Sequence, residues 1–350
     1  MVDTMVPLPA FLRPTRMTRR AARPAGPTPA ADDAVLDAPD DRLSPVLVAA
    51  ARGEYAPAAA LLAATRAAGR WEDRDGYARR LAAFAHARPE WFDAWRAAAP
   101  DDPGALLVAA QLAVDRVWYS PARAELLRAV SPLITAAARA DDRDPVPWRI
   151  ALDHARGSKA GHRYFEELWE AAVRRAPHHY GCHVAALRYL GTFWHGSHGE
   201  CFDFAERAAQ DAPADSLVQA LPVRAAFGYL TDLCGPEVGR TRLDAAADRA
   251  ADLSGRLPAA DPWPAEVRNK LLYVLLRLER WDDAREQAAL IGPYATSFPW
   301  TLVSDDPLGH FLRVREALLA GGAGTALTGL IPTPRRPDGG RQGSSGGHDH

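Results

Sequence analysis

Lysine is nearly missing from this chain of 350 residues: only Lys159 and Lys270 occur, and arginine carries almost all of the positive charge. Together with abundant alanine this is the mark of GC-rich coding rather than of a phosphate-binding device. Acidic and basic residues nearly cancel, leaving a net charge of −2, so no global field draws the chain to nucleic acid or to an acidic membrane. Cysteine is scarce too: Cys182, Cys201 and Cys234 form an odd set with no Cys-x-x-Cys pair. That argues against a disulfide framework and fits a reducing cytosol, so a cytoplasmic location is expected. No run of about 18 apolar residues is present, which argues against a membrane-spanning helix. Alternating Val/Ile/Thr runs and Asn-Gly turns are lacking, which removes the usual strand signals. The dinucleotide and P-loop glycine patterns are missing as well. Gly343-Ser344-Ser345-Gly346-Gly347 spells Gly-x-Ser-x-Gly, but it has no strand before it and no helix after it to make a nucleophile elbow.

What is present is ordinary globular composition, 48% hydrophobic and 25% charged, between two biased ends. Residues 1–42 are rich in Pro, Ala, Arg and Asp and show no apolar period, so they read as a disordered leader. Arg19-Arg20 has the look of a twin-arginine signal, but the proline-broken stretch after it is no export core. Residues 321–350 are rich in glycine and read as a flexible tail. The segment 43–320 between them reads as one α-helical domain. Seven Ser-Pro or Asp-Pro pairs punctuate it: Ser44, Ser120, Ser131, Asp102, Asp144, Asp261 and Asp306 each precede a proline. A side-chain oxygen can accept from an orphan amide at a helix start, and proline in the first turn loses no useful donor. The pairs therefore predict many helix starts, about 14 helices in all by ordinary helix and turn lengths.

The segments between have helical period. Tyr164, Phe165, Leu168, Trp169 and Ala172 share one arc, opposite Arg163, Glu166, Glu167, Glu170 and Arg174. Val267, Leu271, Val274 and Leu278 line up likewise. Several corners repeat one pattern, an aromatic followed three residues later by alanine: Tyr55 with Ala58, Phe202 with Ala205, Trp281 with Ala284. Pro213 closes the unit that Phe202 opens. These aromatic, alanine and proline positions resemble the tetratricopeptide (TPR) repeat, a helix–turn–helix unit of about 34 residues, though the Trp…Leu-Gly…Tyr set of that family is in register in no single unit. The resemblance implies an all-α fold of antiparallel helical hairpins stacked as a TPR-like right-handed solenoid with disordered termini. In such an array each unit packs on its neighbours and the curvature creates a concave binding face. Phe298-Pro299-Trp300 with Asp305-Asp306-Pro307 is similar to the C-terminal part of uncharacterised actinobacterial helical-repeat proteins. Trp194-His195-Gly196-Ser197 followed by Phe204-Ala205 is similar to a signature in a bacterial helical family of unknown function. Neither likeness implies an activity.

One stretch invites a chemical reading. From His195 to Cys201 two histidines, a glutamate and a cysteine fall within seven residues. Ser197-His198-Gly199-Glu200 also has the form of a capping box, which would start a new helix, and leaves only the histidines without a structural role. His154, His162, His178, His179, His183, His195 and His198 cluster in 45 residues. His179 and His183 are four apart, which puts two imidazoles on one helix face; with His198 or Glu200 they could hold zinc and serve a metal-dependent enzyme. The pattern His-Glu-x-x-His is absent, so this stands as the alternative. Cys182 or Cys201 beside a histidine could be a nucleophile, against the ordinary role of a small core residue. The acid runs Asp101-Asp102 and Asp141-Asp142-Arg143-Asp144 precede prolines, where acids favour the positive end of a helix dipole. The ten tryptophans read as filler at helix crossings. Arginines look scattered rather than striped, so nucleic acid has only the N-terminal arginines behind it. The reading is a cytoplasmic, non-catalytic scaffold that binds an unidentified protein or peptide and no membrane. Its expected contact residues are His178, His179, His183, Trp194, His195, His198 and Glu200, and no cofactor is expected.

Overall fold

Side-chain caps set several of the helix starts. In a computed structural model, which describes residues 34–232, 237–321 and 330, the Asp102 carboxylate accepts from the amides of Gly104 and Ala105 and Asp306 accepts from that of Gly309. Ser120, Asp144 and Asp261 make the same kind of bond two residues ahead, in the turns that lead into helices. Ser44 falls inside a first turn whose amides are met by Asp40 instead. Ser131-Pro132 starts nothing: it lies inside a helix of 18 residues, where proline costs one backbone bond but the flanking turns continue. The stop-and-start rule is local and holds only where the proline is not overridden by the apolar face around it.

The chain folds into helices α1 (Leu43–Ala51), α2 (Ala56–Ala67), α3 (Trp71–Ala87), α4 (Glu90–Ala98), α5 (Pro103–Val117), α6 (Arg123–Ala140), α7 (Val146–Gly157) and α8 (His162–Arg175). There follow α9 (Tyr180–Tyr189), α10 (His198–Asp211), α11 (Leu221–Thr231), α12 (Arg240–Gly255), α13 (Ala265–Arg277), α14 (Trp281–Ile291), the short α15 (Ser297–Trp300) and α16 (Pro307–Leu319). The two-residue strands β1 (Val35–Leu36) and β2 (Tyr294–Ala295) pair in parallel and are the only strands among the described residues. The fold is thus all-helical, and no helix among the described residues is long and apolar enough to cross a membrane. The corner alanines Ala58, Ala205 and Ala284 are fully buried, because a methyl group lets a helix approach a neighbour that a larger side chain would hold off. The arc read for α8 is buried at Phe165, Leu168 and Ala172, while Tyr164 is left 48% exposed. Of the ten tryptophans, Trp91, Trp95 and Trp300 are buried, and the others are half-buried.

Helices α3, α5, α7, α9, α11 and α13 touch in succession and form an inner layer. Helices α6, α8, α10, α12 and α14 pack outside it, each against its chain neighbours. The apolar core runs along this array in three clusters, gathered around α1–α5, α5–α9 and α9–α16. Packing is not confined to neighbours. Helix α3 also meets α7 and α9, and β1 joins a segment some 260 residues further on, where Asp37 accepts from the amide of Ser297 at 3.1 Å. Two readings change accordingly. Residues 34–42, assigned to the leader from composition, belong to the folded body: Ala34 is buried, and Asp40 caps α1 and accepts from the Tyr77 hydroxyl at 2.6 Å. An array in which units meet only their neighbours would not bring residues 35 and 294 together. The N-terminal arginines and nearly all of the tail lie outside the described residues, as does Cys234.

Candidate functional site

The Ser197 corner is built as its sequence dictates. Ser197 caps α10, its hydroxyl accepting from the Glu200 amide at 3.2 Å and lying 2.9 Å from the Glu200 carboxylate. Phe202 and Ala205 then turn inward and are fully buried. Glu200 is exposed and spent on this cap.

The histidines around this corner part company. His179 caps α9, with Nδ1 accepting from the Cys182 amide at 3.2 Å and Nε2 3.7 Å from the Glu72 carboxylate. Burial opposes charge on this imidazole, but the nearby Glu72 carboxylate outweighs it and raises its pKa. His183, one turn later, donates from Nδ1 to the His179 carbonyl at 3.0 Å and sits edge-on to Trp169 at 5.0 Å. Burial there pushes its pKa down to about 4. His198 is buried too, with Nε2 3.3 Å from the Asp232 carboxylate and its ring edge-on to Tyr229. The imidazoles proposed as zinc ligands therefore have three different partners, because a helix cap, a core position and a second helix start direct them differently. Among the described residues no group of three or more His, Cys, Asp or Glu is arranged to hold a metal. His178 is half-buried beside the cap.

Cys182 Sγ lies 3.1 Å from His179 Nδ1, and Glu72 follows beyond, an order that looks like a Cys–His–Glu relay. Its sulfur is sealed. Cys182 has no exposed surface, faces the Pro145 carbonyl at 3.7 Å, and burial raises its pKa. A thiol held protonated and out of reach is no nucleophile. Cys201 is likewise tucked against the Leu187 and Leu190 carbonyls, and burial pushes it up to about 12.

What the structure does gather is a charged face on the inner helices. Glu72 and Asp75 come from α3, Arg149, Asp153 and Arg156 from α7, Arg188 from α9, Arg224 from α11, and Glu266 and Lys270 from α13. Asp75 accepts from Arg149 at 2.5 Å, and Gly181 is what lets α3 and α9 close on it: a Cβ there would stand 2.3 Å from the Asp75 carboxylate. Burial works against the Asp75 charge, yet Arg149 and Arg79 hold the carboxyl below its usual range. Asp153 pairs with Arg156 at 2.9 Å and with Arg149 at 3.6 Å. Arg224 reaches Glu266 at 2.8 Å and the Tyr180 hydroxyl at 3.2 Å, while Lys270 holds the same Glu266 oxygen at 2.7 Å. Burial, with Arg224 alongside, pulls Lys270 down to about 7.

Arg188 is the odd member. Its guanidinium is 46% exposed and makes no hydrogen bond among the described residues; its nearest carboxylate, Asp153, is 4.0 Å away. Surrounding protein and the neighbouring Arg224 nevertheless lower its pKa to about 10. Arg188 is thus a cation that water reaches, standing beside a second one. Of this cluster the sequence reading picked out none as a contact residue, and only its neighbour His179, which faces Glu72. The signal was there, in polar residues at helical spacing on segments otherwise apolar: Glu72, Asp75 and Arg79; Arg149, Asp153 and Arg156; Glu266 and Lys270. Arginines that look scattered along the chain form stripes once helices are assigned.

Trp194 and His195 lie elsewhere, at the α9–α10 corner. Trp194 leans on Trp118 at 6.4 Å, and His195 stacks on Tyr189 at 4.4 Å. Compared with protein-family models, curated proteins and solved structures, the chain has no match.

Proposed function

We propose that this protein is a non-catalytic binding module, a TPR-like array of helical hairpins whose inner face takes an acidic peptide or an acidic segment of a partner protein. The observation that carries this is Arg188: a half-exposed guanidinium with unused donors, beside Arg224 and Lys270, with Glu266 already shared between those two. An arginine fork in such a setting matches a carboxylate bidentately. The proposal keeps the class of function read from the sequence but moves its contact surface. His179, His183 and His198 are buried, whereas Arg188, Glu72 and Arg79 face solvent from the inner layer.

Fluorescence anisotropy with a labelled Glu/Asp-rich peptide tests it, with the Gln/Asn counterpart as control. The acidic peptide should bind more tightly, lose affinity as salt rises, and be released by Arg188→Glu. Equal binding of the two peptides, or acidic binding untouched by Arg188→Glu, would remove the reading.

A further inference from the structure

A depression lies where three corners of the array meet, next to Arg156 of the charged face. It is an open depression of about 510 Å³ lined by Arg123, Lys159, Phe193, Trp194 and His195. Arg123 opens α6, Lys159 stands in the turn between α7 and α8, and residues 193–195 form the α9–α10 corner. The volume falls in the range of small-ligand sites.

The wall of this pocket is built from stacked rings and cations. The indoles of Trp118 and Trp194 are bracketed by two guanidinium groups, with Arg156 4.5 Å and 4.7 Å from the two ring centres and Arg123 5.4 Å and 5.0 Å from them. Arg156 is also anchored by Asp153 at 2.9 Å. Gly157 makes room for the arrangement, since a Cβ there would come within 2.8 Å of the Trp118 ring. On the other side His195 lies over Tyr189, which stacks on Phe165 at 3.6 Å. Burial and the nearby His162 lower the His195 pKa.

The lining itself is left unfinished by folding. Phe193 is 80% exposed and engages no other ring among the described residues. Tyr119, the residue after Trp118, is 93% exposed. Arg123 spends Nε on the Gly157 carbonyl at 3.3 Å and Nη1 on the Trp118 carbonyl at 3.4 Å, with Nη2 unspent. Lys159 is exposed and has no acidic partner among the described residues. The lining thus holds two cations, no carboxylate, and a free aromatic face. A ring stacks on an exposed aromatic side chain whatever its substituents, and a fork plus a point charge suits a doubly charged phosphate better than a single carboxylate.

We infer that this pocket binds a free nucleoside phosphate, its base on Phe193 against the Trp194 and His195 wall and its phosphate between Arg123 and Lys159. No glycine-rich phosphate loop takes part; two side-chain cations replace it. The net charge of −2 and the single-nucleotide size favour a free nucleotide over a strand.

Isothermal titration calorimetry on the full chain with AMP, adenosine and inorganic phosphate tests this. AMP should bind more tightly than either half. Phe193→Ala removes an exposed ring and Lys159→Asn replaces a residue at φ +57° with one that accepts the left-handed region, so both variants should fold. Each should weaken AMP about tenfold, with thermal melting unchanged. AMP binding no tighter than phosphate or adenosine alone, or unchanged in either variant, would overturn the proposal. So would a single-stranded oligonucleotide that outcompetes AMP by far more than its count of nucleotides.

Discussion

Helix α13 carries two buried cations two residues apart that live in opposite kinds of surroundings. Arg268, with no exposed surface, uses Nε on the Ser254 hydroxyl, Nη1 on the Pro258 and Leu290 carbonyls, and Nη2 on the Ser254 and Leu257 carbonyls. All five donors are matched, without any carboxylate. Lys270 faces the inner layer, where it shares Glu266 with Arg224 and stands near the unbonded Arg188. The first cation ties the ends of α12 and α14 to α13 and has nothing left to offer. The second belongs to a cluster with donors to spare. Buried charge is a sign of function only where the protein itself leaves it incompletely paired; where every donor is spent it is a fastening.

The contrast can be attacked directly. The largest effect should follow Arg268→Met, which strands the carbonyls that Arg268 serves: a loss of about 4 kcal/mol in denaturant unfolding, with acidic-peptide affinity unchanged in the folded fraction. Asp75→Ala leaves Arg149 buried beside a cavity and should cost about 3 kcal/mol by the same measurement. If it proves neutral, the inner ion pairs are looser than their distances imply.

His183 and His179 sharpen the comparison through pH. The folded pKa of His183 is about 4, below the unfolded value of about 6.5. The unfolded chain therefore takes up this proton first. The contribution of His183 is intact above about pH 6.5 and is lost as pH falls toward 4, up to about 3 kcal/mol. His183→Phe should flatten that part of the stability–pH curve relative to the parent. His179 runs the other way: Glu72 raises its pKa, so its contribution is present below about pH 6.5 and is lost as pH rises through the folded value. The smallest effect on stability belongs to Arg188→Gln, within about 0.5 kcal/mol as for an exposed side chain outside any network, yet this variant should lose the acidic peptide. A large destabilisation by Arg188→Gln would make Arg188 a fastening like Arg268.

Much of the scaffold is readable from the chain because it is fixed by contacts a few residues long. Asp102, Asp306 and Ser197 cap the helices they precede, and Val267, Leu271 and Val274 fall on a buried face at the spacing of one helix. Ser131-Pro132 misleads because the same local pair can sit in mid-helix when the face around it is held by packing. The candidate sites are another matter. The expected histidine set is close in sequence, but a cap position and a helix interior aim neighbouring side chains apart, so His179 and His183 meet different partners.

Local chemistry, then, determined the helices, their starts and their small-residue corners, since a turn of helix and its cap are satisfied within about four residues. Packing decided the rest. Asp75 meets Arg149 across 74 residues and Glu72 meets Tyr180 across 108, and the pocket of Arg123, Lys159 and Phe193 exists only where three separate corners come together. No rule of spacing specifies such meetings, because they depend on how rigid helices stack and on where a glycine such as Gly181 lets two of them close.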